Sequence, residues 1–197
     1  MRVPFVGLTG GLGAGKSEAL DALRGLGAAT LSTDTVVHEL LASPDLRELV
    51  SSRLGPGVVR DGSLDRSAIA ERVFADEGAR RWLEGVLWPQ VGERVGAWRV
   101  EVESANPTPR AAVVEVPLLF ESGMDAMFDR TVAVVADEAV RVERAGGRGH
   151  AALAERTGRQ LTQEEKAQRA DFTVRNDGSR DELRETLSLV LGKLEET

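Results

Sequence analysis

The sequence predicts an α/β fold, a five-stranded and mostly parallel sheet with helices on both faces. Three observations predict it. Short apolar runs without polar alternation recur at 3–8, 28–32, 111–116, 130–136 and 172–176, as strands buried on both faces require. Segments with helical periodicity separate most of these runs. The first run passes straight into glycines and then a helix, the order in which open parallel sheets build their ligand-binding edge. At 197 residues the chain is long enough for one domain with inserted segments, and its 42% hydrophobic content suits a packed globule rather than a disordered chain.

The elements follow in order. After the strand at 3–8, Ala19, Leu20, Leu23 and Leu26 recur at helical spacing and Gly27 stops that helix. The run at 28–32 is a weaker second strand, and Asp34 sits where it gives way to the helix TVVHELLA. Ser43-Pro44 reads as a capping hydroxyl followed by a first-turn proline, opening DLRELVSSRL. GPGVVRDGSLD is a loop or short hairpin. From Asp65 to about Ser104 nearly everything reads helical, with breaks expected near Asp76 and at Trp88-Pro89. This block interrupts the strand and helix alternation, so it reads as an insert of about 58–105 within a core of 1–57 and 106–197. The strands at 111–116 and 130–136 follow, then a helix at 137–145 and the glycine- and arginine-rich GGRGH at 146–150. Thr162 with Glu165, and Ser179 with Glu182, form capping boxes that open two helices on either side of the last strand.

Composition excludes several classes. A formal net charge of −7 argues against binding nucleic acid through phosphate neutralisation. There are no cysteines and only two histidines, His38 and His150, so disulfide scaffolds, thiolate metal sites and histidine-rich metal sites are out. No stretch approaches the roughly 20 apolar residues of a membrane span. Met1-Arg2 runs into a strand without a signal-peptide pattern, which leads us to expect a cytoplasmic protein.

One stretch carries specific chemistry. Gly10, four residues, then Gly15-Lys16-Ser17 is the phosphate-loop pattern G-x4-G-K-[ST]. Glycines let successive backbone N–H groups turn inward around phosphate oxygens, and the following helix points its positive end at the anion. Lys16 is the only lysine before Lys166 in a chain whose 25 basic residues are almost all arginine. A compact ammonium on a flexible stem suits this loop where a planar guanidinium would not. The stretch Gly11, Leu12, Gly13, Ala14, Gly15, Lys16, Ser17 and Glu18 is thus the candidate triphosphate site, with Lys16 on the terminal phosphates and the Ser17 hydroxyl placed for Mg²⁺. A dinucleotide fingerprint needs G-x-G-x-x-G, and the glycines at 11, 13 and 15 do not fit it.

Hydrolytic motors, switches and small-molecule kinases share this loop. A kinase also needs an acceptor pocket, a carboxylate near the acceptor hydroxyl and arginines that close over the transferring group. Asp34, at the strand-end rim, could orient or deprotonate that hydroxyl, or merely cap the helix after it. Arg141, Arg144 and Arg148 lead into the Gly146-Gly147 hinge as a lid, or form a solvated helix face. Glu115, inside the third strand, either joins a metal shell or pairs with an arginine. A nucleotide-dependent switch stays open as an alternative, although no N-K-x-D guanine signature is present.

LTGGLGAGKS (8–17), LSTDTVVHELL (31–41), VPLLFESG (116–123) and RTGRQLTQEEKAQRADFTVRNDGS (156–179) together resemble the dephospho-coenzyme A kinases over nearly the whole chain. The resemblance implies a single P-loop NTPase domain over 1–197, with the 58–105 insert binding the acceptor and a short lid at about 145–155. It implies ATP and Mg²⁺ as cofactors and dephospho-CoA as the small-molecule partner, with no nucleic acid or membrane partner and a monomer favoured. Lys16, Asp34, Arg144 and Arg148 would be catalytic, and Ser17 would hold the metal. Asn176 and Gly178 would border the adenine, while Pro117, Leu118, Leu119 and Phe120 would line the acceptor side; Leu118 and Leu119 also fit ordinary core packing. The chain departs from the family pattern at Ser32, where an aspartate is usual, at Glu18, at Trp88-Pro89 in place of His-Pro, and in a lid about three residues short. Another nucleoside or nucleotide kinase, or a catalytically lapsed homologue, remains open on this basis.

Overall fold

A computed structural model describes residues 2–144 and 160–196. The five expected strands form one sheet: β1 (Phe5–Gly10), β2 (Ala29–Ser32), β5 (Ala112–Glu115), β6 (Arg130–Val135) and β7 (Phe172–Arg175). Its order is β2-β5-β1-β6-β7 and every pairing is parallel. All six residues of β1 are buried, which is why that strand reads as a continuous apolar run rather than an alternating one. Register pairs Leu8 with Glu115 on one side and Gly10 with Val134 on the other, so the chain leaves β1 between two strand ends. The next helix crosses to β2, beyond β5, whereas β6 lies on the opposite flank, so strand order reverses at the glycine loop.

Two helices cover one face of the sheet. In α1 (Lys16–Gly25), Ala19, Leu20 and Leu23 are buried, and Gly27 adopts φ +95, in agreement with its reading as a stop. The last helix, α8 (Arg180–Glu195), buries Leu183, Leu187, Val190, Leu191 and Leu194 against α1 and against Val6, Leu8, Val132 and Val134 of the sheet. Each of these aliphatic side chains contributes about 1.5–3 kcal/mol by leaving water. The opposite face of β1 meets aromatic and charged neighbours. Phe5 stacks on Phe128 with centroids 4.7 Å apart, and Arg99 lies 4.5 Å over the Phe5 ring while pairing with Asp129. The helices α6 (Glu138–Arg144) and α7 (Gln163–Arg169) flank the far strands. Both expected capping boxes are present, at Thr162 with Glu165 and at Ser179 with Glu182.

The chain divides into two compact units, 1–32 with 97–197, and 33–96. The second contains α2 (Thr33–Leu41), α3 (Pro44–Leu54), a hairpin of β3 (Val59–Arg60) and β4 (Ser63–Leu64), α4 (Arg66–Ala75) and most of α5 (Glu77–Glu103). It begins earlier than the insert of 58–105 read from sequence. The physical reason is its core, in which Leu41 of α2 and Leu46, Val50 and Leu54 of α3 cluster with Ile69, Leu83 and Leu87. Asp61 and Gly62 both take positive φ at the hairpin tip, the backbone a tight two-residue turn demands.

The helix break expected at Trp88-Pro89 does not occur, since α5 runs through Pro89 without interruption. Leu83, Leu87, Val91 and Val95 are all buried at intervals of four, so one apolar face spans the proline. The carbonyl that the proline ring would crowd belongs to Gly85, which brings no side chain of its own, and Gln90 Nε2 caps the Val86 carbonyl at 2.9 Å. The break at Asp76 is real: its carboxylate accepts from Gly78 N at 2.8 Å and Ala79 N at 3.1 Å, starting α5 afresh.

Candidate active site

The loop between β1 and α1 is shaped by backbone demands that only glycine meets. Gly13 and Gly15 have φ +78 and +88, and a Cβ on Gly13 would stand 2.6 Å from the carbonyl oxygen of Arg141. A Cβ on Gly15 would collide with the side-chain amide of Asn176. Gly15 is the N-cap of α1 and offers no side-chain cap, so no side chain takes the place of an anion at the helix start. Lys16 Nζ donates to the carbonyls of Gly10 and Gly11, each at 3.1 Å, folding its stem over the loop. The Ser17 side chain, one residue on, is exposed. Glu18, half-buried, accepts from Arg180 Nε at 2.6 Å and so ties the first turn of α1 to the start of α8.

Three side chains brace the loop from behind. Asn176, buried just past β7, donates through Nδ2 to Ala14 O at 3.0 Å. Arg141 Nε donates to Leu12 O at 2.9 Å, and Arg144 Nη1 donates to Asn176 O at 2.7 Å. The arginines read as lid residues are therefore anchored to this loop and its support. Arg148 and the rest of the expected lid at 145–155 lie outside the described residues. Gly178 is exposed, and a Cβ there would strike the Glu182 carboxylate, so its small size makes room for the capping box. A cleft of about 210 Å³ opens beside Gly11 and Leu12, with Arg141, Thr162 and Gln163 across from them. A larger cavity of about 490 Å³ lies at the opposite strand ends, among Arg2, Asp129, Arg130 and Glu195, away from the loop.

The segment after β5 is a run of turns. Leu119 is wholly buried and packs on Gly7 of β1, so its side chain belongs to the core, whereas Pro117, Leu118 and Phe120 are half-buried. Glu115 is buried at the end of β5, level with Leu8 and Ser32 in the neighbouring strands. Asp34 is exposed in the first turn of α2. Among the described residues no group of three or more metal-ligating side chains comes together.

Two contacts had no counterpart in the sequence reading. Thr9 Oγ1 and Lys166 Nζ both donate to Pro117 O, at 3.3 and 2.6 Å. Lys166 is 0% exposed and also pairs with Glu121 at 3.1 Å. The scarcity of lysine that marks Lys16 marks Lys166 as well, and that was the available signal.

A parallel sheet whose central strand opens into this loop, with a lysine folded over it and no side-chain cap at the helix start, defines a P-loop nucleotide-binding scaffold. The family model of dephospho-CoA kinase matches residues 4–182. A dephospho-CoA kinase of Symbiobacterium thermophilum is 42% identical over 186 residues, covering 91% of this chain and 77% of the relative. That of Protochlamydia amoebophila is 37% identical over 192 residues, covering 95% and 94%. Among solved structures, TT1252 from Thermus thermophilus superposes with a TM-score of 0.82 at 32% identity over 98% of both chains. The dephospho-CoA kinase of Campylobacter jejuni shares the fold, with a TM-score of 0.71 at 23% identity over 97% of this chain and 96% of that one. The chain belongs to the dephospho-CoA kinase family, a family of ATP-dependent kinases.

Proposed function

We propose that this chain transfers the γ-phosphoryl group of ATP to the ribose 3′-hydroxyl of dephospho-coenzyme A, giving coenzyme A. The observation that carries the reading is the glycine loop, whose unstrapped helix start and folded-back Lys16 suit a triphosphate, in a chain of this family. Phosphoryl transfer asks the protein chiefly for positioning and for charge placed around the transferred group. Loop N–H groups and Lys16 hold the β and γ phosphates. Ser17 would hold Mg²⁺, which when bound would offset the negative charge of the phosphates. Asp34 orients the acceptor hydroxyl and takes its proton, a role suited to an exposed carboxylate directly after a strand of the sheet. Arg144 and Arg148 meet the charge that develops on the transferring group.

Asn176 and Gly178 border the adenine of ATP, and the Asn176 amide also holds Ala14 of the loop. Pro117, Leu118 and Phe120 line the acceptor side, over a core provided by Leu119. We read the helical insert of about 58–105 as acceptor-binding. The acidic net charge of −7 suits a small-molecule partner rather than a polyanion, and we read the chain as a cytoplasmic monomer.

The test is an acceptor panel with ATP and Mg²⁺, followed by product analysis. Dephospho-CoA is expected to be consumed in step with ADP release. Turnover of a nucleoside monophosphate with none of dephospho-CoA would replace this reading by that of a nucleotide kinase. In the same assay Asp34→Asn is expected to lower kcat by about 10²-fold with little change in KM for ATP, and an unchanged kcat would reduce Asp34 to a helix-start residue.

A further inference from the structure

We infer that Lys166 and Glu121 are a positioning pair that sets the acceptor-side loop, 117–121, in register with the phosphate loop. Lys166 has no exposed surface, and its Nζ makes two strong contacts, to Pro117 O at 2.6 Å and to Glu121 Oε1 at 3.1 Å. The same Glu121 oxygen accepts from Leu161 N at 3.0 Å, so one carboxylate holds both α7 and the chain that leads into it. Pro117 O also accepts from Thr9 Oγ1 at 3.3 Å, and Thr9 is the last residue before Gly10. A continuous set of bonds thus runs from the end of β1, through the first residue of the 117–121 loop, to Lys166, Glu121 and Leu161.

Burying an ammonium and a carboxylate is expensive, and apolar residues of the same volume often serve stability equally well. What an ion pair adds here is direction. It selects one placement of a loop that has no regular secondary structure, against a strand whose next residues cradle phosphate. Glu121 Oε2 is shielded and has no hydrogen-bond partner among the described residues, so the contacts at Oε1 alone hold the carboxylate in place. An irregular loop that shifts by an ångström loses much of its value as a substrate wall.

This inference rests on the reading of Pro117, Leu118 and Phe120 as the acceptor side. The experiment measures kcat and both KM values for Lys166→Met, Glu121→Gln, the double variant and Phe120→Ala. Lys166→Met is expected to raise KM for dephospho-CoA about tenfold and Glu121→Gln about threefold, with KM for ATP within about twofold of the parent. The double variant is expected to be no worse than Lys166→Met, since the two residues act as one unit. Equal rises in both KM values, or kinetic constants unchanged while only the melting temperature falls, would overturn the inference and leave the pair a stability element. Phe120→Ala separates the two claims. If it raises KM for dephospho-CoA while the pair variants do not, the positioning role fails and the loop reading stands; if it leaves that KM unchanged, the loop reading itself falls. Should Lys166→Met not fold, the isosteric Glu121→Gln decides by the same KM split.

Discussion

Two loops leave neighbouring strands of the sheet, and each is held by a lysine, yet the lysines are used in opposite ways. After β1, Lys16 is partly exposed and rests on the carbonyls of its own loop, Gly10 and Gly11. After β5, the carbonyl of Pro117 is bonded by Lys166, which comes from a helix 49 residues further along and is sealed from solvent. The first ammonium is carried by a partly exposed side chain, on the loop that an arriving phosphate would enter. A carboxylate and a buried carbonyl together give the second no better place to go. The difference teaches that a rare residue type marks constraint, and that burial decides whether the constraint is chemical or architectural.

Lys16→Ala breaks the comparison hardest. Turnover is expected to drop by on the order of 10³-fold, with the circular dichroism spectrum and melting temperature close to the parent, because the lysine is partly exposed and lies outside the core. A variant with parental kcat/KM would remove Lys16 from the phosphate site.

Asn176→Ala sharpens the comparison by removing a brace while sparing both lysines. It leaves the buried Ala14 carbonyl without its amide donor and is expected to cost about 1–3 kcal/mol in urea unfolding, with weakened ATP binding. Unchanged stability together with unchanged KM for ATP would mean that the loop holds its shape by glycine conformation alone.

The smallest effect concerns the helix starts outside both loops. Backbone N–H groups hold the carboxyls of Asp76 and Glu182 below the usual carboxylate range, through Ala79 and Gly78 for the first and Ser179 for the second. Asp177 is lowered too, first by the Asp137 N–H and then by Arg175. A depressed folded pKa means that the unfolded chain takes up protons first on acidification. This stabilisation is therefore full above the unfolded values, near pH 4, and lost as pH falls through the folded ones. Melting temperatures recorded from about pH 6 to pH 3 should fall for the parent and fall less steeply for Glu182→Gln. Parallel curves would show that the capping box contributes nothing to the titration.

Much of the fold was legible because its signals are local. The apolar runs marked all five strands of the main sheet, and Thr162 with Glu165 and Ser179 with Glu182 announced two helix starts through spacing of three. Pro89 misled because its effect depends on what packs around it: a buried face from Leu83 to Val95 keeps α5 intact across a residue that ends helices elsewhere. The place of the glycine loop between β1 and α1 was readable, since its pattern is written within eight consecutive positions. Its supports were not. Asn176 reaches Ala14 across 162 residues and Thr9 reaches Pro117 across 108, separations at which spacing carries no pattern. The boundary of the second unit was hidden for a related reason, as α2 and α3 look like parts of an alternating sheet protein until their leucines are seen to cluster with α4 and α5.

The anchoring of Arg141 on Leu12 O and of Arg144 on Asn176 O has a further consequence. A guanidinium has five N–H donors, and each tether occupies a single one. Both long side chains are thus already confined beside the glycine loop, so the entropy of ordering them has been spent during folding and would not be charged again to any ligand they meet. The same tethers make the posture of α6 report on the loop, since a displacement of Leu12 strains the bond that Arg141 makes to it.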